Sequence, residues 1–353
     1  MSKYLIEKLK SVAPYVPGEQ PKDRRYVKLN TNESPYPPSP LAMKLMREEA
    51  ESSNLYPDPE YTALVSVAAE KLGVKKGNIF FTNGSDETLN FAFAAYCAEK
   101  TAVFADITYG FYEVFADYYK TRKKIIPLKE DFSIDVTEYY NAEGTVFIAN
   151  PNAPTGLLLS LEEIENVLKN NPDNIVVIDE AYIDFGGKSA VSLIDKYENL
   201  LVIQTFSKSR SLAGMRIGMA IANENIIKDL KLIKYSTNPF NISKAGFYAA
   251  IGALLDEEYF DGNCKKIIEN REKMSKALGE MGFAVTDSKT NFVFAKHPSI
   301  GGEKIYLSLK EKGVLVRYFK KPRIDEFVRI TVGNDEETDA LIAGMKKVIE
   351  ENL

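Results

Sequence analysis

The sequence predicts an α/β protein, with a large domain whose mostly parallel sheet lies between helices and a smaller α+β domain at the C-terminal end. Two observations predict the large domain. Short apolar runs without polar alternation recur at 79–81, 101–104, 145–149, 175–178 and 200–204, the pattern of parallel strands covered on both faces. Segments of helical period separate the runs, and parallel strands need such crossovers. A third observation predicts the small domain: beyond Pro239, long helical segments lead into "TNFVFAK", "GVLVRYF" and "FVRITVG", the texture of helices on a short sheet. Residues 1–35 are read as an arm that joins the small domain, 36–240 as the large domain and 241–353 as the small one.

Each element can be justified in turn. Nine of the 16 prolines fall between Pro14 and Pro59, so the opening stretch is expected to be extended arm and loop. The run Ile79-Phe80-Phe81 leads into "TNGSDETLNFAFAAY". There Gly84, Ser85 and Asp86 open a helix whose first N–H groups lack intrahelical partners, an anion site in waiting. The run at 101–104 leads into "ADITYGFYEVFADYY", where Tyr109 stands in a turn with a face free for a flat ligand. Arg122-Lys123-Lys124 is read as a solvated helix or loop face. The run at 145–149 ends in "NPNAPTG", a rigid pair of Asn-initiated turns that presents the Asn152 side chain. The run at 175–178 ends in Asp179-Glu180-Ala181-Tyr182, and a carboxylate at the end of a buried strand needs a cationic or donor partner. The run at 200–204 ends in "TFSKSRSLAGMRIG". It offers the hydroxyls of Thr205 and Ser207, the Arg216 guanidinium and, between them, Lys208, an amine whose proton is loosened by apolar surroundings and a neighbouring cation.

Composition narrows the chemistry. The chain has 353 residues, 45% hydrophobic and 27% charged, with a formal net charge of −5. This is the balance of an ordinary globular protein, and it argues against a general binder of nucleic acid or membrane surface. The N-terminus, "MSKYLIEKLKSVAPY", lacks an uninterrupted apolar core, so no export signal is expected. Two distant cysteines suit a reducing, cytoplasmic compartment rather than a disulfide framework or zinc site. The single histidine, His297, sits in "FAKHPSIGG" and reads as a surface turn. Multi-histidine metal sites are excluded, no metal is expected, and the chemistry must run on Lys, Tyr, Asp or a bound cofactor.

Taken singly, these features have ordinary explanations: a helix cap, a core aromatic, a tight turn, a structural ion pair. Together, five strand ends carry an anion cradle, an aromatic plate, an amide, a carboxylate with a phenol, and an amine with a guanidinium. Those parts suit a flat, phosphorylated aldehyde with a ring nitrogen, which is pyridoxal 5'-phosphate.

The ordered motifs "NGSDE", "DITYGFY", "NPNAPTG", "IDEAYIDF" and "TFSKSRSLAGMRIG" resemble the aspartate-aminotransferase superfamily of pyridoxal-phosphate enzymes, fold type I. Within it, "APYVPGEQ", "LNTNESPYPPSP", "LYPDPEYTAL" and "GVLVRYFKKPRIDEFVRITVG" resemble the histidinol-phosphate aminotransferase branch, over about residues 13 to 334. The resemblance implies that Lys208 joins the cofactor aldehyde and later shuttles a proton, that Asp179 holds the pyridine nitrogen, and that Tyr182 and Asn152 bond the ring's phenolic oxygen. It implies that Tyr109 stacks on the ring, and that Gly84, Ser85, Asp86, Thr205, Ser207 and Arg216 hold the phosphate. Tyr56 would reach that phosphate from the neighbouring subunit of a homodimer. Arg329 would bind the carboxylate of glutamate or 2-oxoglutarate and serve the phosphate end of histidinol phosphate, with Tyr15, Asn32, Tyr109, Asn152, Arg317 and Asn334 near the same substrate. Two positions depart from the branch's pattern: Ala153 replaces a polar residue and Phe240 replaces a tyrosine near the substrate. The expected reaction moves an amino group between histidinol phosphate and 2-oxoglutarate. A threonine-phosphate decarboxylase or an aromatic-amino-acid aminotransferase of the same fold remain the alternatives.

Overall fold

A computed structural model of the protein describes residues 2–98 and 100–353. After a two-residue strand, β1 (Val27–Lys28), seven strands build the large sheet: β2 (Ile79–Asn83), β3 (Thr101–Ala105), β4 (Arg122–Ile126), β5 (Gly144–Ala149), β6 (Val176–Asp179), β7 (Leu200–Thr205) and β8 (Ile217–Ala222). Their order is β2-β8-β7-β6-β5-β3-β4. β3 to β7 pair in parallel, whereas β8 runs antiparallel to both its neighbours, β7 and β2. Successive side chains of a strand point to opposite faces. Ile148, Ile178 and Val202 therefore enter one core, and Phe147, Val177 and Leu201 enter the other. Burial on both faces is why the middles of these strands are apolar without alternation.

Two strands of the large sheet, β4 and β8, were not expected. The basic cluster Arg122-Lys123-Lys124 forms most of β4, the last strand of the sheet, with its charges exposed. It is neither helix nor loop, and charged residues on an exposed edge discourage pairing with another chain. The proline-rich stretch also holds more structure than an arm and loops. The helix Pro40–Ala50 begins with Ser39 accepting from the Ala42 N–H and with Pro40 at its first position. Proline is suited to that position because its fixed φ is helical and its missing N–H would have had no partner.

The small domain carries β9 (Ala284–Val285), β10 (Phe292–Lys296), β11 (Val314–Leu315), β12 (Arg317–Tyr318) and β13 (Phe327–Thr331). Four of these form an antiparallel sheet, β12-β13-β10-β9, while β11 pairs in parallel with β1. The N-terminal arm thus contributes a strand beside the small domain, and Leu29 enters that domain's core with Val293, Leu309 and Leu341. The helix Lys244–Leu255 belongs elsewhere. Its Phe247, Ala250 and Leu254 share a core with Tyr61 and Leu64. It packs so closely on Pro40–Ala50 that a Cβ on Gly252 would lie 2.5 Å from Ala42 Cα. A division after residue 240 therefore cuts through the large-domain layer, and the cores part between this helix and Glu257–Glu280.

His297 does not lie in a surface turn. It is buried, edge-on to Phe283 at 5.1 Å between ring centroids, and its Nδ1 accepts from the Ser299 N–H. Cys97 and Cys264 are buried free thiols. No helix among the described residues is long and apolar enough to cross a membrane, and no group of three or more His, Cys, Asp or Glu among them could hold a metal ion.

Candidate active site

The parallel strands deliver their C-terminal ends to one edge of the sheet, where ligands of such folds collect. The reversed strand β8 completes that edge. Because it runs the other way, its first residues arrive beside the last residues of β2, with Ile217 opposite Asn83. Arg216 thereby meets the start of helix Ser85–Tyr96, and its Nη2 lies 3.3 Å from Asp86 Oδ2. Gly84 makes this approach possible: its φ is +78°, and a Cβ there would lie 2.5 Å from Arg216 Nη2. A glycine at the N-cap also brings no side chain to satisfy the first N–H groups of the helix, so they remain available to an anion.

Ser85, Asp86, Tyr109, Asp179, Tyr182, Thr205, Ser207, Lys208 and Arg216 all line one cavity of about 340 Å³. A second cavity of about 600 Å³ continues outward, with Tyr15, Asn32, Tyr109, Arg317 and Arg329 on its wall. The two share Tyr109, Tyr182 and Lys208. The amine and the carboxylate that the sequence set apart by 29 positions (208 − 179) thus face one space.

Electrostatics distinguish the two groups. Burial drives the Lys208 ammonium down to about 8, and the Arg329 charge pushes it the same way, against the pull of Asp86 and Glu33. Burial raises the Asp179 carboxyl to about 6; the hydrogen bond from Tyr112 opposes that rise, and the Asp86 charge adds to it. The phenols are held neutral: burial, then the Asp86 charge, pushes Tyr109 well above its ordinary 10. Its hydroxyl donates to Asp86 Oδ1 at 2.7 Å, so Asp86 is tied by a phenol on one side and by Arg216 on the other.

Tyr182 is oriented by the arm. Asn32 Nδ2 donates to the Tyr182 hydroxyl oxygen at 2.9 Å, which leaves that hydroxyl's own proton free to point into the cavity. Asn32 is itself fixed from the small domain, donating its N–H to Thr331 Oγ1 and accepting from it at Oδ1.

Arg329 and Arg317 stand directly opposite each other on β13 and β12. Like charges in that relation are destabilising unless an anion joins them. Arg317 donates to the carbonyls of Val16 and Pro17, fixing the arm. Arg329 donates one Nη to the Asn30 carbonyl, and its buried Nε has no hydrogen-bond partner among the described residues. An unpartnered buried guanidinium N–H is costly, and its natural complement is an oxyanion.

Some expected residues stand apart. Asn152 lines neither cavity: its Nδ2 donates to the Ile107 carbonyl and Thr155 Oγ1, and its Oδ1 accepts from Thr108. The amide fastens the loop instead of presenting itself to a ligand, while Ala153 beside it reaches both cavity walls. Asn334 caps the helix Asp335–Glu350 by accepting from the Glu337 N–H. Tyr56 lies outside both cavities, 78% exposed and stacked on Phe240 at 4.4 Å. Phe240 therefore meets Tyr56 and not the cavity wall of its own chain.

The sequence reading missed Thr31 and Glu33, which line the inner cavity, and Tyr112, whose hydroxyl donates to Asp179 Oδ2 at 3.0 Å. "TNES" was visible as a polar break in a proline-rich stretch, and Tyr112 as the position three after Tyr109 on the opening turn of a helix. Only the second of these signals carries a spacing argument.

The residues present fit a planar, phosphorylated aldehyde with a ring nitrogen. An open helix start with Ser85, Ser207 and Arg216 gathers at the anion end; Tyr109 offers a face; Asp179 offers an acceptor; Lys208 is an amine that loses its proton readily. The Gly84 cradle, which a single Cβ would fill, makes the anion end specific to this arrangement.

A family model described as aminotransferase class I and II matches residues 24–344. A histidinol-phosphate aminotransferase of Brachyspira hyodysenteriae is 50% identical over 353 residues, covering 99% of this chain and 100% of that protein. One of Clostridium acetobutylicum is 47% identical over 351 residues, covering 99% and 100%. Among solved structures, histidinol-phosphate aminotransferase from Sinorhizobium meliloti in complex with pyridoxal-5'-phosphate shares the fold with a TM-score of 0.89 at 24% identity, covering 99% of each chain.

Proposed function

From membership of the class I and II aminotransferase family, to which this chain belongs, we propose that it moves an amino group between L-histidinol phosphate and 2-oxoglutarate, giving imidazole-acetol phosphate and L-glutamate. The observation that carries this reading is the joined pair of cavities, with Lys208 and Asp179 on the inner wall and, on the outer, Arg329, whose buried Nε has no partner among the described residues.

Pyridoxal 5'-phosphate is the cofactor, and when bound it supplies an aldehyde for the amine and a heterocycle that accepts electron density from the adjoining carbon. The Asp179 carboxylate would hold the ring nitrogen and favour its protonated form, because an ionised acceptor in a dry site favours a cationic partner. Lys208, whose proton burial loosens, would supply the amine that condenses with that aldehyde, with loss of water. Its Nζ, facing the same cavity, would move the proton at the amine-bearing carbon of the substrate. The Tyr182 hydroxyl, steered by Asn32, donates to a phenolic oxygen. Ser85, Ser207 and Arg216 fix the phosphate, so that the reacting carbon is held by its far end. Arg329, with Arg317 opposite, takes the carboxylate of glutamate in one half of the cycle and the phosphate of histidinol phosphate in the other. The arm, drawn in by Arg317 through the carbonyls of Val16 and Pro17, covers the outer cavity and excludes water.

The working unit is a homodimer in which Tyr56 of each subunit reaches the phosphate of the other. The exposure of Tyr56 beside exposed Leu55, and its place outside the cavities of its own chain, support that arrangement. A place in histidine biosynthesis in the cytoplasm completes the reading, and two free thiols suit a reducing compartment.

Purified protein given histidinol phosphate and 2-oxoglutarate should form glutamate. Release of carbon dioxide from threonine phosphate without glutamate would replace the reading with a decarboxylase. Mixing Lys208→Ala protein with a Tyr56 variant tests the shared site. Partial activity regained in the mixture is expected, and a monomer in sedimentation would dispose of it.

A further inference from the structure

Tyr112 takes no part in the chemistry derived so far, yet it touches two of the groups that do. Its ring is fully buried, in contact with Phe104 and Phe147 and edge-on to Tyr109, at 5.8 Å and 88°. Its hydroxyl donates to Asp179 Oδ2 at 3.0 Å, while Asp179 Oδ1 accepts from the Ala181 N–H at 3.3 Å. Each carboxylate oxygen thus has one protein donor and keeps a lone pair for a ligand.

We propose that Tyr112 is a positioning residue for the cofactor: it holds the Asp179 carboxylate in one orientation, and by packing edge-on against Tyr109 it fixes the spacing between that carboxylate and the aromatic plate. The proposal rests on the pyridoxal-phosphate reading above.

Three features favour it over plain core packing. A fully buried carboxylate rotates between orientations unless donors hold it, and here one of the two donors is the Tyr112 phenol. Burial drives the Asp179 carboxyl upward, and the Tyr112 hydrogen bond is the strongest of the influences opposing that rise. Tyr112 can only act as the donor in this pair, because burial and the Asp179 charge push its own ionisation well above the ordinary range. A phenylalanine would fill the same space against Phe104, Phe147 and Tyr109, so the hydroxyl is present for Asp179 alone.

The test is a double-mutant cycle on the full chain, with the dissociation constant of pyridoxal phosphate and the absorption spectrum of the bound cofactor as readouts. Tyr112→Phe should raise the dissociation constant about tenfold, the scale of one charge-assisted hydrogen bond, and should shift the spectrum that reports ring protonation. In the Asp179→Ala background the same change should cost less than about twofold, because the acceptor it acts through is gone. An equal cost in both backgrounds would make Tyr112 a packing residue and overturn the proposal, as would no cost in either. Thermal unfolding of the cofactor-free Tyr112→Phe protein keeps these outcomes separate from misfolding, since a shared loss of stability predicts the additive result. A wild-type chain that takes up no pyridoxal phosphate, or takes it up unchanged after Lys208→Ala, would remove the underlying reading; intact uptake with additive costs removes only the role of Tyr112.

Discussion

Replacing Asp179 with asparagine should stabilise the cofactor-free protein and destabilise the loaded one. Burial raises this carboxyl from its ordinary 3.8 to about 6. At about 1.4 kcal/mol for each tenfold change in proton affinity, the ionised group costs the fold about 3 kcal/mol at pH 8. The sign follows from proton counting. Between about pH 4 and 6 the folded chain keeps a proton that the unfolded chain has released, so wild-type stability falls as pH rises through that window. Above about pH 6 the cost is complete. Asparagine carries no charge at any pH and keeps an oxygen to accept from Tyr112 or Ala181. Its amide needs an acceptor of its own, which trims the expected gain to about 2 kcal/mol at pH 8 and about a third of that at pH 5. Urea unfolding at fixed protein concentration, with the slope checked for constancy, measures both values. Adding pyridoxal phosphate should invert the comparison, because wild type gains a cation opposite the carboxylate and the variant does not. A gain that is absent at pH 8, or equal at pH 5 and pH 8, would refute the claim that a buried charge is the cause.

Lys208→Met should also stabilise the cofactor-free protein, by about 2 kcal/mol at pH 7 after discounting for water in the open cavity. The wild-type deficit should shrink as pH climbs from about 8, where the folded amine releases its proton, towards the pH at which the unfolded one does, and denaturation across that range shows it. Arg329→Ala removes the buried, unpartnered Nε and should lower kcat/KM for 2-oxoglutarate roughly 10- to 100-fold, with most of the loss in KM; steady-state assays with both substrates check it. Gly84→Ala places a Cβ 2.5 Å from Arg216 Nη2 at a φ of +78°, so cofactor affinity should drop at least about tenfold and stability by about 1–3 kcal/mol, read by absorbance titration and thermal unfolding. Asn32→Ala loses the bonds to Tyr182 and Thr331 at a residue with φ of 55° and should cost about 3 kcal/mol. Asn32→Gly should recover about 1 kcal/mol of that by relieving the backbone, while both variants lose kcat.

The sequence made the central strands legible because burial on both faces leaves no polar residue to interrupt them, and it made their ends legible because charge and hydroxyl appear there abruptly. The same logic hid β4 and β8. β4 is an edge strand, and its first three residues are exposed cations on both of its faces. β8 begins immediately after Arg216 and opens on Ile217-Gly218, and the glycine read as loop. It is glycine because a Cβ on Gly218 would lie 2.4 Å from the Gly84 carbonyl carbon. The domain division was misplaced by one helix because Lys244–Leu255 is buried over most of its length, from Gly246 to Leu254. A helix with no polar face gives no sign of which layer it joins. Tyr109 could be read as an aromatic at a strand end. The function of Tyr112 could not, since Tyr112 lies on a helix and its partner, Asp179, is 67 positions away at the end of β6.

The hydrogen bonds around Asn32 explain why the site draws on three parts of the chain. Lys208 and Asp179 need dry surroundings to hold their altered affinities for protons, and substrates need a way in. A rigid single-domain pocket would satisfy one demand at the expense of the other. Here the large domain supplies the reactive groups, the small domain supplies Arg329 and Thr331, and the arm supplies the residue that touches both. Asn32 orients the Tyr182 hydroxyl only while Thr331 orients Asn32. Correct placement of a proton donor beside Lys208 is therefore conditional on the small domain and arm being seated. Arg329 stands two strand positions before Thr331 on β13, so the strand that fixes Asn32 also carries the arginine on the outer cavity wall.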